Sequence, residues 1–144
     1  MERKLKSIIG RAELVALPDA NLEAINAKID TGAHRSSIDA SFIEEKDGVL
    51  SFKLLREGVP GYNGQLMTAE KFRKVVIHNS FGEEQERYEL KLRIKIGSRT
   101  FKTGFTLADR SKKIYPILIG RKLLKDRYIV DVAEGVPHVD DKES

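Results

Sequence analysis

Residues 87–96 alternate between polar and apolar side chains at every position. The apolar side chains on one face are Tyr88, Leu90, Leu92, Ile94 and Ile96. A period of two predicts a β-strand with one buried face, because successive side chains of a strand point to opposite sides. Gly97 and Ser98 predict a turn and residues 100–107 a returning strand, so this part of the chain indicates a β-hairpin.

Most of the remaining chain also predicts short strands separated by turn residues. These strands are expected at 8–17, 22–29, 38–43, 49–55, 72–78, 114–119 and 128–132. Only residues 121–126 predict a helix. Many short strands with regular turns are typical of an all-β barrel or sandwich. The 144 residues fit one domain, which we place at 1–133, followed by a loose polar tail at 134–144.

Composition excludes several classes of protein. The absence of cysteine excludes disulfides, thiolate zinc sites and cysteine nucleophiles. Lysine and arginine exceed aspartate and glutamate by 26 to 22, and a net charge of +4 does not indicate direct nucleic-acid binding. No apolar run approaches the roughly 20 residues of a membrane helix, and the first residues do not resemble a signal peptide. We therefore expect a soluble cytoplasmic protein.

Two short motifs carry the chemistry that the sequence offers. The first is Ile29-Asp30-Thr31-Gly32-Ala33, in which an apolar strand runs into a loop. Taken alone, this motif is more typical of a plain turn, in which Asp and Thr bond nearby backbone. The second is Ile119-Gly120-Arg121, which ends another apolar strand and precedes the short helix.

The pairing of these two motifs resembles the retropepsin-like aspartic proteases. Residues 9–11, 15–18 and 28–33, followed by Ser36 and Ser37, are similar to a bacterial family labelled ATP-dependent zinc proteases. That family is found beside an ATP-grasp glutamate ligase that modifies a ribosomal protein. The resemblance extends over residues 8–132. It implies a closed acid-protease barrel with one short C-terminal helix, and aspartic endopeptidase activity.

The resemblance also implies a homodimer in which each subunit supplies one catalytic aspartate. Two carboxylates about 3 Å apart cannot both ionise, so they share a proton and divide the acid and base roles. This chain has a single Asp-Thr-Gly sequence. A second copy related by a twofold axis is the economical source of the other carboxylate.

Roles for individual residues follow from the same resemblance. Asp30 would activate the attacking water, Thr31 would bond across the twofold axis, and Gly32 would let its backbone approach the carboxylates. The supporting residues would be Ala33, Gly120 and Arg121.

The residues expected to bind substrate are His34, Arg35 and Tyr62. His34 and Arg35 directly follow the catalytic loop, where positive charge favours an acidic substrate. Tyr62 lies in the glycine-rich segment 58–65, which is the expected flap over the substrate. We therefore expect a peptide or protein substrate, with glutamate-rich tails as a hypothesis that the neighbouring ligase supports.

The zinc and ATP in the family's label find little support in this sequence. Zinc hydrolases use three protein ligands, often two histidines one helical turn apart. The three histidines here, His34, His78 and His138, are far apart, and a phosphate-binding loop motif is absent. We predict no metal and no cofactor, and expect ATP to act through the partner ligase.

Two other functions stay open at this point. The chain is also compatible with a catalytically inactive barrel that binds a peptide or a ribosome-associated partner, and with a zinc-dependent hydrolase. Substitution of Asp30 distinguishes the peptidase from the binding module, because only the peptidase needs that carboxylate.

Overall fold

The computed structural model describes residues 5–79 and 81–135. The strands are β1 (Ser7–Ile9), β2 (Ala12–Leu17), β3 (Leu22–Ile29), β4 (Ser36–Lys46), β5 (Val49–Leu54), β6 (Met67–Ala69), β7 (Arg73–His78), β8 (Glu84–Ile96), β9 (Arg99–Ala108), β10 (Ile117–Ile119) and β11 (Tyr128–Val130). A 3-10 turn spans Pro18–Ala20, and one short helix, α1, spans Arg121–Leu124. Within the described ranges, no helix has the length and apolar character needed to cross a membrane.

Six strands form a ring of pairings. The order is β10, β3, β2, β8, β9 and β4, and β4 pairs in turn with β10. Strands β5 and β6 continue outward from β4, and β7 pairs with β8. A separate two-stranded sheet joins β1 to β11 in parallel. This architecture confirms the prediction of a mostly β fold with one short helix.

The hairpin predicted from the period of two is confirmed as β8 and β9. Its register pairs Leu90 with Phe105 and Ile96 with Arg99, and Gly97 in the turn has a φ of 59°. The strand positions predicted to be apolar are buried from residue 90 onward, while Tyr88 is half-buried. Alternation therefore places one face of this hairpin against the core.

The core fills the inside of the ring. Its largest fully buried side chains are Phe52, Phe105, Leu17, Leu22, Ile25, Ile38, Leu50, Leu55, Ile94, Leu107, Ile117 and Ile119. Burying a side chain of this size contributes about 1.5–3 kcal/mol. Because both ends of β10 contribute to this core, the strand that leads to Gly120 is held rigidly.

The segment predicted as one strand over residues 8–17 is two strands with different partners. β1 pairs with β11 and β2 pairs with β3, and the chain changes direction at Gly10. A Cβ at Gly10 would lie 2.4 Å from the backbone carbon of Glu134, so only glycine fits there. β6 was not predicted, since three residues are too few to show a period.

The first residues of the expected tail are in contact with the domain. The carbonyl of Glu134 accepts a hydrogen bond of 2.9 Å from the backbone N–H of Arg11. A Cβ at Gly135 would lie 2.8 Å from the carbonyl oxygen of Ala12. Residues 136–144 lie outside the described residues.

Candidate active site

The two motifs meet because their strands are parallel neighbours. β3 and β10 pair in register, with Ile29 opposite Ile119, so their carboxyl ends lie at the same edge of the sheet. The backbone N–H of Asp30 donates a hydrogen bond of 2.9 Å to the carbonyl of Ile119. On its other side β10 pairs with β4, with Ile117 opposite Ile38. The loop after β3 is therefore fixed to the strand that ends at Gly120.

The Asp30 side chain bonds to its own loop. Its Oδ1 accepts a hydrogen bond of 2.9 Å from the backbone N–H of Gly32. A Cβ at position 32 would lie 3.2 Å from that oxygen, which is tighter than an ordinary contact. Across the part of the chain that the structure describes, no lysine or arginine nitrogen lies within ion-pair distance of this carboxylate. Asp30 is half-exposed, so its second oxygen is accessible to a ligand or a partner.

Helix α1 holds the loop through its backbone. The N–H of Arg121 donates to the carbonyl of Ala33 at 2.8 Å, and the N–H of Lys122 donates to the carbonyl of His34 at 3.1 Å. These are two of the amide groups that a helix start leaves without internal partners. The Arg121 guanidinium donates to the carbonyl of Thr31 at 3.0 Å. Arg121 thus binds the loop backbone rather than the Asp30 carboxylate.

Gly120 is required by close packing. A Cβ at this position would lie 2.5 Å from the carbonyl oxygen of Arg35 and 2.9 Å from that of Ala33. Its N–H donates a hydrogen bond of 3.0 Å to the buried hydroxyl of Ser36. Ser36 belongs to the motif that carried the resemblance, but the sequence did not reveal this contact, which depends on the β4–β10 pairing.

The structure separates the three residues expected to bind substrate. His34 is exposed and lines a wide depression of about 950 Å³ together with Thr31, Arg121 and Tyr128. The Arg35 guanidinium turns toward the sheet and bonds to Glu89 at 2.8 Å. A direct contact of Arg35 with substrate stays a prediction.

Tyr62 and the expected flap pack against the domain. Tyr62 is half-buried beside the hydrophobic core. Residues 58–65 form turns rather than a hairpin, and Gly61 packs so closely that a Cβ there would lie 2.5 Å from the Ile25 side chain. Asn63 donates through its side-chain amide to the carbonyl of Ala20 at 2.9 Å. These contacts hold the segment against the domain, and its role as a flap stays a prediction.

The β7–β8 hairpin extends beyond the ring of strands, because residues 84–88 of β8 pair with β7 and the pairing with β9 begins only at Glu89. Its strands pair from Arg73 opposite Glu89 to His78 opposite Glu84. Its tip carries the exposed side chain of Phe81. The sequence predicted a turn at residues 79–82, between these two strands.

Arg110 is a cationic neighbour of Asp30 that the sequence did not reveal. It follows β9, its backbone N–H donates to Asp39 at 2.7 Å, and its Nε donates to the carbonyl of Tyr115 at 3.0 Å. Burial lowers the pKa of Arg110 and nearby Arg87 lowers it further, whereas Asp39 and Asp30 act in the opposite direction. These influences place Arg87 of β8 and Asp30 within electrostatic reach of Arg110.

The histidines do not converge in the described ranges. His34 is exposed beside the loop, and His78 at the end of β7 lies 3.9 Å from Glu84. His138 lies outside the described residues. Among residues 5–79 and 81–135, no group of three histidine or acidic residues could hold a metal ion.

Comparison with known proteins gives one family and several relatives. The model of the RimB-like family, described as retropepsin-like aspartic endopeptidase RimB, matches residues 8–138. A probable alpha-L-glutamate ligase of Shewanella pealeana is 32% identical over 142 residues, which cover 90% of this chain and 29% of that protein. A protein of the same name from Desulfotalea psychrophila is 30% identical over 132 residues, covering 89% of this chain and 28% of that protein. The chain therefore spans less than a third of the length of these relatives.

A solved structure has the same architecture. The crystal structure of a protein of unknown function (DUF785) from Legionella pneumophila matches with a TM-score of 0.72 at 28% identity. The match covers 91% of this chain and 97% of that chain.

Proposed function

Since this chain belongs to the RimB-like family of retropepsin-like aspartic endopeptidases, we propose that it is an aspartic peptidase that uses Asp30 from each of two copies. Membership of the family confirms the resemblance seen in the sequence. One observation carries the proposal. Asp30 stands where two parallel strands end together, and its carboxylate is bound only by the N–H of Gly32 among the described residues. The ring of strands would then act as the closed barrel of the acid proteases.

The chemistry needs two carboxylates. One ionised Asp30 accepts a proton from water as the water oxygen attacks the carbonyl carbon of the scissile peptide. The other, protonated Asp30 donates its proton to the carbonyl oxygen. The C–N bond of the tetrahedral intermediate then breaks as the departing amine takes a proton from one carboxyl group and a hydroxyl group of the intermediate gives its proton to the other, so the pair again holds one proton. Two like charges about 3 Å apart keep a single proton between them, which maintains both roles.

Features beside the Asp30 loop support a dimer. Thr31 is exposed at the tip of the loop. The depression that it lines also contains Tyr128 and Val130 of β11. In the β1–β11 sheet, Ile8 pairs with Ile129 and both side chains are exposed. A second copy of this chain would complete the carboxylate pair and cover these apolar side chains.

The dimer is tested by a charge on this apolar surface. Ile129→Lys should give a folded monomer by sedimentation and abolish peptide hydrolysis. Leu66→Lys is the matched control, because Leu66 and Ile129 are each 56% exposed and Leu66 lies on the fixed segment after β5. A folded Ile129→Lys monomer with full hydrolysis would contradict the two-copy site.

An acidic peptide is the substrate that the charges near Asp30 favour. Arg110 is within electrostatic reach of both Arg87 and Asp30, and His34 is exposed beside Thr31. Low-dielectric walls with positive charge attract anionic substrates. The relatives named as glutamate ligases agree with this choice, so we propose glutamate-rich peptides or tails made by an associated ATP-grasp ligase.

The decisive experiment replaces Asp30. Hydrolysis of glutamate-rich and neutral peptides is followed by mass spectrometry for the wild type and for Asp30→Asn. We expect hydrolysis to fall at least about a thousandfold in Asp30→Asn, with acidic peptides preferred by the wild type. Asp47→Asn in the exposed β4–β5 turn is the same change at a distant site and should leave hydrolysis unchanged.

The outcomes separate the competing functions. Full hydrolysis by a folded Asp30→Asn variant would exclude the aspartic mechanism. If wild type and variant bind an acidic peptide equally and neither cleaves it, the chain is a binding module. Equal cleavage of acidic and neutral peptides would contradict the proposed preference for acidic substrates, while the proposed peptidase activity would stand.

A further inference from the structure

A buried carboxylate lies on the polar face of β8. Glu89 is 5% exposed, although its neighbours on the same face of this strand are charged and reach solvent. Its Oε2 accepts a hydrogen bond from Arg35 at 2.8 Å, and its Oε1 accepts one from Arg73 at 2.7 Å. Burial alone would raise the pKa of Glu89, but the bonds from Arg73 and Arg35 outweigh burial and hold the pKa below its usual value. Each oxygen of the ionised carboxylate therefore binds a different segment of the chain.

The Arg35 side of this cluster leads to the Asp30 loop. Arg35 is five residues after Asp30 along the chain, and its carbonyl oxygen is the atom that excludes any side chain at Gly120. The two carbonyls just before it, those of Ala33 and His34, receive the N–H groups of α1. Fixing the Arg35 side chain thus fixes the end of the loop against β10 and α1.

The Arg73 side leads to the β7–β8 hairpin. Arg73 is the first residue of β7 and lies directly opposite Glu89. The pairing of β8 with β9 begins at the same residue, where Glu89 lies opposite Thr106. Residues 84–88 pair with β7 alone. Glu89 therefore lies where β8 leaves the ring and the free hairpin begins.

Gly104 provides the space for this contact. A Cβ at position 104 would lie 3.3 Å from the Cδ of Glu89 and 3.5 Å from its Oε2. Gly104 stands on β9, between β8 and the start of β4. The missing side chain lets the Glu89 carboxylate extend across β9 to reach Arg35.

We propose that Glu89 is a positioning residue, which joins the Asp30 loop through Arg35 to the base of the β7–β8 hairpin through Arg73. The inference rests on the proposed peptidase function. In the proposed site the hairpin and the loop are the two walls, and peptide hydrolysis would need both walls in a fixed relation. A displacement of about 1 Å at a reacting centre can cost about a hundredfold in rate. An ion pair on each oxygen holds the two walls together without contacting substrate.

The test changes the end of the cluster that is farther from the loop. Arg73→Gln is made in the full chain, since the Arg73 side chain is 60% exposed and its replacement leaves the buried carboxylate bound to Arg35. Lys74→Gln is the matched control, because Lys74 is the next residue of β7, is 50% exposed and points to the opposite face. We expect kcat/KM on an acidic peptide to fall about 10–100-fold in Arg73→Gln and to stay within twofold in Lys74→Gln.

Two further measurements separate positioning from simple loss of stability. Glu89→Gln should lower kcat/KM at least as much as Arg73→Gln, and the double variant should fall no further than Glu89→Gln alone, because both changes break one connection. Arg73→Lys, which keeps a cation at this position, should recover part of the activity. Additive effects in the double variant would overturn the proposal.

Hydrogen exchange tests the connection without relying on hydrolysis. Backbone amides in the peptide that covers residues 30–36 should exchange faster in Arg73→Gln than in the wild type or Lys74→Gln. Unchanged exchange in the loop, together with unchanged kcat/KM, would overturn the positioning role. If the wild type hydrolyses nothing, the proposed peptidase fails, and faster loop exchange would still establish the link between hairpin and loop.

Discussion

Two aspartates near β10 differ in what their carboxylates bind. Asp39 in β4 is buried, both of its oxygens accept hydrogen bonds from Arg56, at 2.8 and 2.7 Å, and one also accepts the N–H of Arg110 at 2.7 Å. Asp30 at the end of β3 is half-exposed and accepts only the N–H of Gly32 within the described ranges. A carboxylate that is bound by arginine has its lone pairs occupied by hydrogen bonds, and it stabilises the fold. A carboxylate left to one backbone amide has an oxygen free for water and for proton transfer.

The largest expected effect compares these two aspartates directly. Asp39→Asn should lower the free energy of unfolding by about 2–4 kcal/mol, because it leaves the part-buried Arg56 without its buried anionic partner and with only the exposed Asp109. Asp30→Asn should change it by less than about 0.5 kcal/mol, since no ion pair is lost. Urea denaturation of both variants measures the contrast. Equal destabilisation would mean that Asp30 also serves structure.

A smaller effect extends the comparison to the second arginine-bound carboxylate. Glu89→Gln should lower the free energy of unfolding by about 1–2 kcal/mol at neutral pH. The pKa of Glu89 is held below its ordinary value of 4.5 in the folded chain, so the unfolded chain binds more protons as pH falls. The stabilisation is present above about pH 4.5 and is lost as pH falls through the folded pKa.

This effect is measured at acid pH, in a plot of the free energy of unfolding against pH. The difference in unfolding free energy between wild type and Glu89→Gln, from urea titrations at each pH, should stay constant above about pH 4.5 and narrow over the acid range below it. A difference that stays constant over this acid range would show that the Glu89 charge does not stabilise the fold.

The smallest expected change in the free energy of unfolding comes from an ion pair that is exposed to solvent. Its arginine contacts the carboxylate in the same way as in the buried pairs. Arg93 of β8 donates through its Nε to both oxygens of Asp19, at 3.2 and 3.1 Å, and this hydrogen bond lowers the pKa of Asp19. Water and salt screen exposed pairs. Arg93→Gln should therefore leave the free energy of unfolding, measured by urea denaturation, unchanged at physiological salt. A clear loss of stability would mean that contact with an arginine matters more than burial.

Local patterns predicted much of the fold and the position of the candidate site. The alternation over residues 87–96 predicted the β8–β9 hairpin, and the strand before Asp30 ends where its motif indicated. The prediction of a single strand over residues 8–17 was wrong. The apolar residues on both sides of Gly10 follow one sequence pattern, but the two strands that they form pair with different partners. The segment 58–65 and the residues between β7 and β8 are both rich in turn-forming residues, so composition could not choose between them as the flap.

The sequence by itself determined the strand periods, the two glycine-containing motifs and the family, because each depends on residues that are close along the chain. Only the tertiary structure decided that β3 and β10 end together and that Arg35 turns to Glu89. These contacts join residues 50 to 90 positions apart. Strand pairing depends on the packing of the whole core, and no local pattern records which partner each strand will find.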